Sequence, residues 1–141
     1  KACQMAGADI VAIDATSRPR LDALSFAETT AAMHAEGALV MADCGSYEDA
    51  KNAYDAGADI LSTTLAGYTG DRPQTEVPAI ELLTEVVTAF PDRPVICEGR
   101  VHTPSDAVAA FDAGAFAVIV GTAITHPTRI TTWFTKAIKN R

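Results

Sequence analysis

The stretch A-G-A-D-I at positions 6–10 recurs unchanged at positions 56–60, and a weaker copy, A-G-A-F, stands at positions 113–116. Each copy follows a segment with helical spacing and precedes a short run rich in Val, Ile and Ala. Glycine readily adopts the positive φ that ends a helix, so each copy is typical of a turn from a helix into a strand. The repeat predicts one supersecondary unit that is used several times.

The segments around these turns predict alternating strands and helices. Short apolar runs predict five strands, at about 9–15, 38–43, 59–64, 94–98 and 116–121. Helical spacing occurs at 24–36, 46–56, 79–90, 104–113 and about 128–139, and residues 1–6 are predicted to end an earlier helix. Apolar strands without polar alternation are typical of a parallel sheet covered on both faces.

Two closures of such a sheet remain open: an open doubly wound sheet and a (β/α)8 TIM barrel. No G-x-G-x-x-G follows the first strand, which disfavours a dinucleotide-binding doubly wound fold. A complete barrel has about 200–250 residues, whereas this chain has 141. We therefore predict an α/β fold in which residues 1–141 form a single domain, the C-terminal portion of a phosphate-binding barrel, and supply about five βα units (strands 4–8).

Composition limits the classes of partner. The net charge is −7 and no stripe of Lys and Arg with interleaved aromatics occurs, so neither nucleic acid nor an acidic membrane surface is expected to bind. No apolar run is long enough to span a bilayer and no basic-then-apolar leader occurs. The three cysteines, Cys3, Cys44 and Cys97, lack C-x-x-C spacing. They are expected to be free thiols, in line with a reducing cytoplasm.

Polar residues gather where the predicted strands end. In a barrel the carboxyl ends of the strands carry the chemistry, because the loops that follow them meet there. The polar residues at or just after these ends are Asp14, Thr16, Arg18, Arg20, Asp43, Thr63, Thr64, Tyr68, Thr69, Glu98, Arg100, Thr122 and His126. All five units contribute to this rim, which predicts a functional site there.

Structural roles are an alternative for several of these residues. Asp14 and Asp43 also suit the caps of the helices that follow. Thr63 and Thr64 also suit ordinary positions in a strand. Arg18 and Arg20 also suit solvated loop charges, and His34 and His102 are expected to be a surface residue and a loop residue.

Glu98 is the hardest of these residues to assign a structural role. It follows Val-Ile-Cys and precedes Gly99, and a carboxylate after a buried strand is costly unless it is used or paired. A buried pair with Arg100 or a neighbouring Arg is the structural alternative. Gly99 and Gly121 leave room at two neighbouring strand ends for an anion to approach backbone N–H groups.

Five segments together resemble the N-acetylmannosamine-6-phosphate 2-epimerase family, also called N-acylglucosamine-6-phosphate 2-epimerase. They are D-A-T-S-R-P-R (14–20), M-A-D (41–43), T-T-L-A-G-Y-T (63–69), E-G-R-V-H-T-P (98–104) and V-G-T-A-I-T (120–125). The resemblance covers essentially the whole chain. It implies a bacterial, cytoplasmic (β/α)8 barrel without metal or organic cofactor. Such an enzyme interconverts N-acetylmannosamine 6-phosphate and N-acetylglucosamine 6-phosphate in sialic acid catabolism.

The resemblance also implies roles for particular residues. Removal and return of the C2 proton on opposite faces needs two acid/base groups; Glu98 matches one, and a lysine from an early strand matches the other. Asp43 matches a residue that orients or polarises the reacting end. Substrate contacts are implied for Asp14, Arg18, Thr64, Tyr68 and Thr69, and phosphate contacts for Gly99, Arg100, Gly121, Thr122 and His126.

Two departures from the family pattern bear on these roles. His126 stands where the family usually has Arg, and an imidazole carries a positive charge for phosphate only when it is protonated. The strands that would carry the lysine are not among residues 1–141, so an inactive half-barrel fragment is one alternative. An FMN- or nucleotide-binding barrel is the other. A homodimer is one expected assembly.

Overall fold

The structure, a computed structural model, describes residues 2–141, in which helices and strands alternate. The elements are α1 (Ala2–Met5), β1 (Ile10–Asp14), α2 (Phe26–Ala35), β2 (Leu39–Asp43), α3 (Tyr47–Asp55), β3 (Ile60–Ser62), α4 (Ile80–Ala89), β4 (Val95–Glu98), α5 (Pro104–Asp112), β5 (Ala117–Ile119), α6 (Thr122–Thr125) and α7 (Pro127–Lys139). The five predicted strands and the helix before the first strand are confirmed. Lys1, predicted in that helix, lies outside the described residues, and α6 is not predicted from the sequence.

The repeated turns behave as the sequence predicts. Gly7, Gly57 and Gly114 follow α1, α3 and α5 with φ of 91°, 87° and 94°. This left-handed region is strained for residues with a Cβ atom. Each glycine therefore ends its helix and directs the chain into the next strand.

Three helices begin with reciprocal side-chain caps. Ser25 and Ser46 accept the N3 amides of α2 and α3, and Thr103 accepts the Asp106 amide at the start of α5, as its sequence predicts. The N3 carboxylate in each case bonds back to the cap residue, which satisfies two otherwise unpaired donors. The alternative that Asp14 or Asp43 caps the next helix is wrong, since Ser25 and Ser46 occupy those positions.

Strand order decides between the two closures. The five strands are all parallel and lie in the order β1-β2-β3-β4-β5. A doubly wound sheet reverses its order at a switch point. A sequential order with right-handed crossovers instead places every connecting helix on one face of the sheet. The sheet is therefore a segment of a barrel wall.

The two faces of the sheet differ in burial at the amino ends of β1 and β2. On the face that packs against the helices, residues are fully buried: Val40, Leu61 and Cys97 have no exposed surface. On the other face, here called the inner face, Ile10 and Leu39 lie opposite each other and are 45% and 47% exposed. The inner face is where a complete barrel packs its interior side chains.

Two of the three thiols are buried in the helix-side core. Cys44 and Cys97 are buried, and Cys3 is exposed. Burial raises the pKa of Cys44 to about 12 and also raises the pKa of Cys97. Both thiols are thus protonated at neutral pH, which confirms the prediction of free, packed cysteines.

His34 has a role that the sequence does not show. Its side chain is 39% exposed, as expected for a surface residue, but Nε2 lies 2.8 Å from Asp59 Oδ2. The Val40 amide donates to the same oxygen at 2.8 Å. Burial works against the charged form, but these two bonds outweigh it and lower the pKa of Asp59. The aspartate of the repeated stretch therefore ties α2, β2 and β3 together.

Candidate active site

Carboxylates stand at the carboxyl ends of three strands on the inner face. Asp14 ends β1, Asp43 ends β2 and lies opposite Asp14, and Glu98 ends β4. Side chains alternate along a strand, so residues in register at parallel strand ends share a face. The structure therefore brings polar side chains together at one rim, as the sequence predicts.

Thr64 connects two of these carboxylates. Its Oγ1 lies 2.8 Å from Asp43 Oδ1 and 3.1 Å from Glu98 Oε2, and Ser62 Oγ lies 2.7 Å from it. Asp43 is half-buried. Burial, together with the negative charges of Glu98 and Asp14, raises its pKa, although the Thr64 bond partly offsets this. A carboxyl with a raised pKa at a strand end is suited to proton transfer.

Thr63 fixes the backbone of Glu98. Its buried hydroxyl donates to the Glu98 carbonyl oxygen at 3.1 Å and accepts from the Glu98 amide at 3.2 Å. The adjacent threonines thus act on Glu98 in two ways: Thr63 holds its main chain and Thr64 contacts its carboxylate. Neither is a mere strand former.

Replacing Thr63 with Val tests this connection. Val keeps the shape of the side chain and removes the hydroxyl that serves both polar groups of Glu98. We expect Thr63→Val to lower the free energy of unfolding by about 1–3 kcal/mol, because buried polar groups lose their partner. Urea unfolding of the chain measures it. Thr84→Val, on the exposed side of α4, is the matched control, and equal losses in the two variants would contradict the role of Thr63.

Asp14 is organised by the loop that follows it. The Thr16 amide and hydroxyl donate to Oδ1 at 2.9 and 2.7 Å, and Arg18 pairs with Oδ2 at 2.5 Å. Burial works against the charged form, but these bonds prevail and lower the pKa of Asp14. Arg20 donates to the Asp14 carbonyl oxygen and pairs with Asp22. Arg18 is a solvated loop charge, half-exposed and paired with Asp14, whereas Arg20 is less exposed and bound to the loop.

A cavity of about 200 Å³ opens beside Glu98. Most of the predicted residues of β3, β4 and β5 contribute to it. Its lining consists of Thr64, Tyr68, Glu98, Gly99, Arg100, Val101, His102, Ile119, Gly121 and Thr122. Gly99 has a φ of 98° and is needed by the backbone, whereas a Cβ at Gly121 would meet no atom within 4 Å. The fold itself therefore leaves the space above Gly121 open.

Other predicted residues lie outside this lining. Thr69 bonds Asp71, and its hydroxyl stands where a Cβ on Gly45 would clash. His126 is exposed and uses Nδ1 to accept the Arg129 amide at 3.3 Å, which caps α7. His102, by contrast, does line the cavity, and its ring packs against that of Trp133 with 4.5 Å between the ring centroids.

Arg100 contacts a loop rather than a carboxylate. Its guanidinium donates to the carbonyl oxygens of Ala66 and Val77 at 2.7 and 3.0 Å and lies 5.2 Å from the Tyr68 ring. The alternative of a Glu98–Arg100 ion pair is wrong, since these contacts take the guanidinium elsewhere. Arg100 holds both ends of the 66–77 loop against the rim.

Replacing Arg100 with Met tests this role. The loop then loses two charge-assisted hydrogen bonds, each worth about 1.5–3 kcal/mol. We expect a Glu-specific protease to cut after Glu76 in Arg100→Met several times faster than in the parent chain, because the loop opens more often. Arg129→Met, on exposed α7, should leave the rate unchanged. Equal cleavage rates in all three proteins would contradict the assignment.

Neither a lysine nor a cluster of side chains placed to bind a metal lies at the rim in the part of the chain that the structure describes. Lys51 pairs with Asp55 on α3, and Lys136 and Lys139 lie in the last turn of α7, all exposed. Residues 2–141 contain no group of three or more His, Cys, Asp or Glu side chains placed to hold a metal ion. The titratable groups that these residues bring to the rim are the carboxyls, together with His102 and Tyr68 in the cavity lining.

Ser62 is the residue that the sequence reasoning missed. It lies in the run I-L-S at 60–62, where a polar residue inside an otherwise apolar strand stands out. Alternation from Thr64 places it on the same face two positions earlier. That spacing was the available signal, and the structure shows Ser62 2% exposed with its hydroxyl on Thr64.

Comparisons with known proteins identify the family. A family model described as "Putative N-acetylmannosamine-6-phosphate epimerase" matches residues 2–140. Proteins named "Putative N-acetylmannosamine-6-phosphate 2-epimerase" from Cutibacterium acnes and Corynebacterium glutamicum are 55% and 46% identical over 95% of this chain. The chain spans 59% and 58% of the length of these two relatives.

Solved structures agree on the fold. The N-acetylmannosamine-6-phosphate 2-epimerase from Clostridium perfringens superposes with a TM-score of 0.88 at 42% identity, over 92% of this chain and 56% of that one. Thiamine phosphate pyrophosphorylase from Pyrococcus furiosus, at 19% identity and a TM-score of 0.63, shares the fold alone. The predicted barrel segment is confirmed, and an FMN- or nucleotide-binding barrel is not favoured. The chain belongs to the N-acetylmannosamine-6-phosphate 2-epimerase family.

Proposed function

We propose that this chain serves in an epimerase that interconverts N-acetylmannosamine 6-phosphate and N-acetylglucosamine 6-phosphate. One observation carries the proposal: Glu98 lines a cavity at the strand ends and is joined through Thr64 to Asp43. Family membership supports the same reaction. In bacteria the reaction belongs to the breakdown of sialic acid.

The chemistry starts from the acidity of C2. In the open-chain sugar, C2 lies beside the C1 aldehyde, which stabilises the negative charge left when its proton is removed. Glu98 takes the C2 proton, and Asp43, whose pKa is raised by burial, donates to the C1 oxygen as the enol forms. A second acid/base group gives a proton to the opposite face of C2, and the enol O–H proton returns to the carboxyl pair of Asp43 and Glu98 as the aldehyde re-forms. The family resemblance assigns that role to a lysine.

The phosphate is proposed to lie over the glycines of the cavity. Gly99 and Gly121 leave the backbone accessible to an anion, and the space above Gly121 is unused by the fold. Thr122 and the main chain of Arg100 lie at the same place, with His126 at the outer edge. The sugar is proposed to contact Asp14, Arg18, Thr64, Tyr68 and Thr69.

Several features of the whole protein are also part of the proposal. The reaction requires neither metal nor organic cofactor, because proton transfers alone invert C2. None of the helices in residues 2–141 combines the length and apolar character that crossing a bilayer requires. Two buried free thiols suit the cytoplasm. A homodimer is the proposed assembly, and no nucleic acid or membrane partner is proposed.

Exchange of the C2 proton tests the proposed function. The assay uses the chain and a completed protein, in which the chain is joined to the part of the Cutibacterium acnes relative that it does not match. In D2O, proton NMR of N-acetylmannosamine 6-phosphate should show growth of N-acetylglucosamine 6-phosphate and loss of the C2 proton signal. N-acetylmannosamine without phosphate is the control substrate. A completed protein that folds but neither exchanges nor epimerises contradicts the proposal.

A further inference from the structure

The hydrogen-bond capacity of Thr64 limits how many protons the carboxyl pair can hold. A threonine hydroxyl has one hydrogen to donate and two lone pairs to accept with. Three oxygens surround Thr64 Oγ1: Ser62 Oγ at 2.7 Å, Asp43 Oδ1 at 2.8 Å and Glu98 Oε2 at 3.1 Å. One hydrogen cannot serve all three.

Ser62 determines which groups donate and which accept in the hydrogen bonds around Thr64. Its side chain is 2% exposed, and among residues 2–141 the hydrogen bonds that the structure shows give its hydroxyl one partner, Thr64. A buried hydroxyl donates where an acceptor is available. Ser62 therefore donates to Thr64, which leaves Thr64 free to donate to one carboxylate and to accept once more.

The remaining bond is possible only if one carboxyl is protonated. When Thr64 donates to one ionised carboxylate, the other carboxyl must bring its own hydrogen, or two oxygen lone pairs face each other. With one proton on the pair, Thr64 accepts twice and donates once, and every bond is made. Without it, a half-buried polar contact is unsatisfied, which is costly.

We propose that Asp43 and Glu98 hold a single proton between them and exchange it through the Thr64 hydroxyl, with Ser62 as the positioning residue. At rest the proton lies on Asp43, which donates to Thr64 while Thr64 donates to ionised Glu98. In the exchange the Glu98 O–H bond breaks as a new O–H bond forms on Thr64. The Thr64 O–H bond breaks as one forms on Asp43, so two protons each move by one oxygen and the net transfer is one proton from Glu98 to Asp43.

The use of this exchange in catalysis rests on the function proposed above. After Glu98 has taken the C2 proton and Asp43 has given its own to the C1 oxygen, the carboxyl pair holds its proton on Glu98. Transfer through Thr64 returns the proton to Asp43 and leaves Glu98 ionised. When the second acid/base group gives its proton to C2, the enol O–H bond breaks and its proton passes to the ionised Glu98. Glu98 releases this proton to solvent as the second group takes one up, which resets the site.

The surrounding charges do not supply another proton to the pair. From β1, Asp14 faces it, and Arg18 pairs with Asp14. From the loop after β4, Arg100 donates to loop carbonyl oxygens, and His102 packs against Trp133. Tyr68, from the loop after β3, lies beside Arg100.

Carbon NMR tests the shared proton without relying on activity. The completed protein is labelled with ¹³C at Asp and Glu carboxyls, and Asp43→Asn and Glu98→Gln assign the two signals. In the parent protein we expect both carboxyl signals to respond to one common titration step. In Thr64→Val the common step should be lost, and in Thr64→Ser it should return. Independent steps in the parent protein, or a common step that survives in Thr64→Val, would overturn the proposal.

Kinetics of the same variants give the second readout. Thr64→Val should lose about 100-fold or more in kcat, as expected when acid/base transfer is disabled, while Thr64→Ser keeps most of the rate. Ser62→Ala should weaken the common step, and Thr84→Val, the surface control, should change neither readout. Full activity in Thr64→Val would overturn the exchange. Inactivity of the parent protein with the common step intact would overturn the proposed function and leave the shared proton standing.

Discussion

Glu98→Gln is expected to abolish epimerisation in the completed protein, with a loss of about 10²–10⁴-fold in kcat. Glutamine keeps the size of the side chain and can still accept from Thr64. It cannot take a proton from C2. The fold should persist, because Thr63 holds residue 98 through its main chain and not through its carboxylate. The measurement is turnover of N-acetylmannosamine 6-phosphate, with circular dichroism as the check on folding.

Exchange with D2O makes this test more specific than loss of rate alone. If two groups act from opposite faces of C2, each removes the proton from one of the two epimers. Glu98→Gln should then stop C2 exchange of one epimer while the other still exchanges. Glu48→Gln, in the first turn of α3 on the exposed surface, is the matched control with parent-like rates. Near-native turnover in Glu98→Gln would contradict the assignment of Glu98 as a base.

Local sequence signals predict the strands and most helices of this fold well. They do not predict features that depend on residues distant in sequence, such as strand order. Apolar runs and helix-ending glycines locate five strands, because these signals depend on neighbouring residues. Strand order depends on distant residues, so the barrel is predicted from the absent G-x-G-x-x-G, the chain length and the family resemblance, and the observed order confirms it. The four-residue helix Thr122–Thr125 is too short for an apolar periodicity to reveal it.

The candidate site divides in the same way. Asp43, Glu98 and Thr64 are recognisable as polar residues at strand ends, and the resemblance assigns them roles. The contacts between them cross 21 and 34 residues of sequence, so no local pattern contains them. Arg100 illustrates the opposite case, in which sequence proximity suggests a contact that does not form. It follows Glu98 closely in sequence, yet its guanidinium binds the loop after β3. Proximity in sequence does not fix where a long side chain ends.

The second large effect is expected from the chain by itself. The 141-residue chain should show no measurable epimerisation, whereas the completed protein should be active. Inversion at C2 needs groups on both faces of that carbon. Within residues 2–141 the structure places Glu98 at the cavity, while Lys51, Lys136 and Lys139 lie on exposed helix surfaces. The same NMR assay of turnover, at matched protein concentrations, measures the difference.

The comparison needs a folding control, because part of the inner face of the sheet is exposed at the amino ends of β1 and β2. Ile10 and Leu39 are 45% and 47% exposed on that face, and apolar residues exposed together promote association. Gel filtration and circular dichroism of the chain separate misfolding from a missing catalytic group. Adding the unmatched segment of the relative as a separate polypeptide should restore activity if the two parts assemble.

If the folded chain were active by itself, the proposed mechanism would be contradicted, but the family assignment would not. The rim would then have to supply both proton transfers from its own carboxyls, and the lysine role would be wrong. Asp43 is the group available for it, because its pKa is raised and Thr64 joins it to Glu98. Asp43→Asn separates the two mechanisms. With a lysine as partner, C2 exchange persists at a reduced rate in that variant, whereas with Asp43 as partner inversion stops.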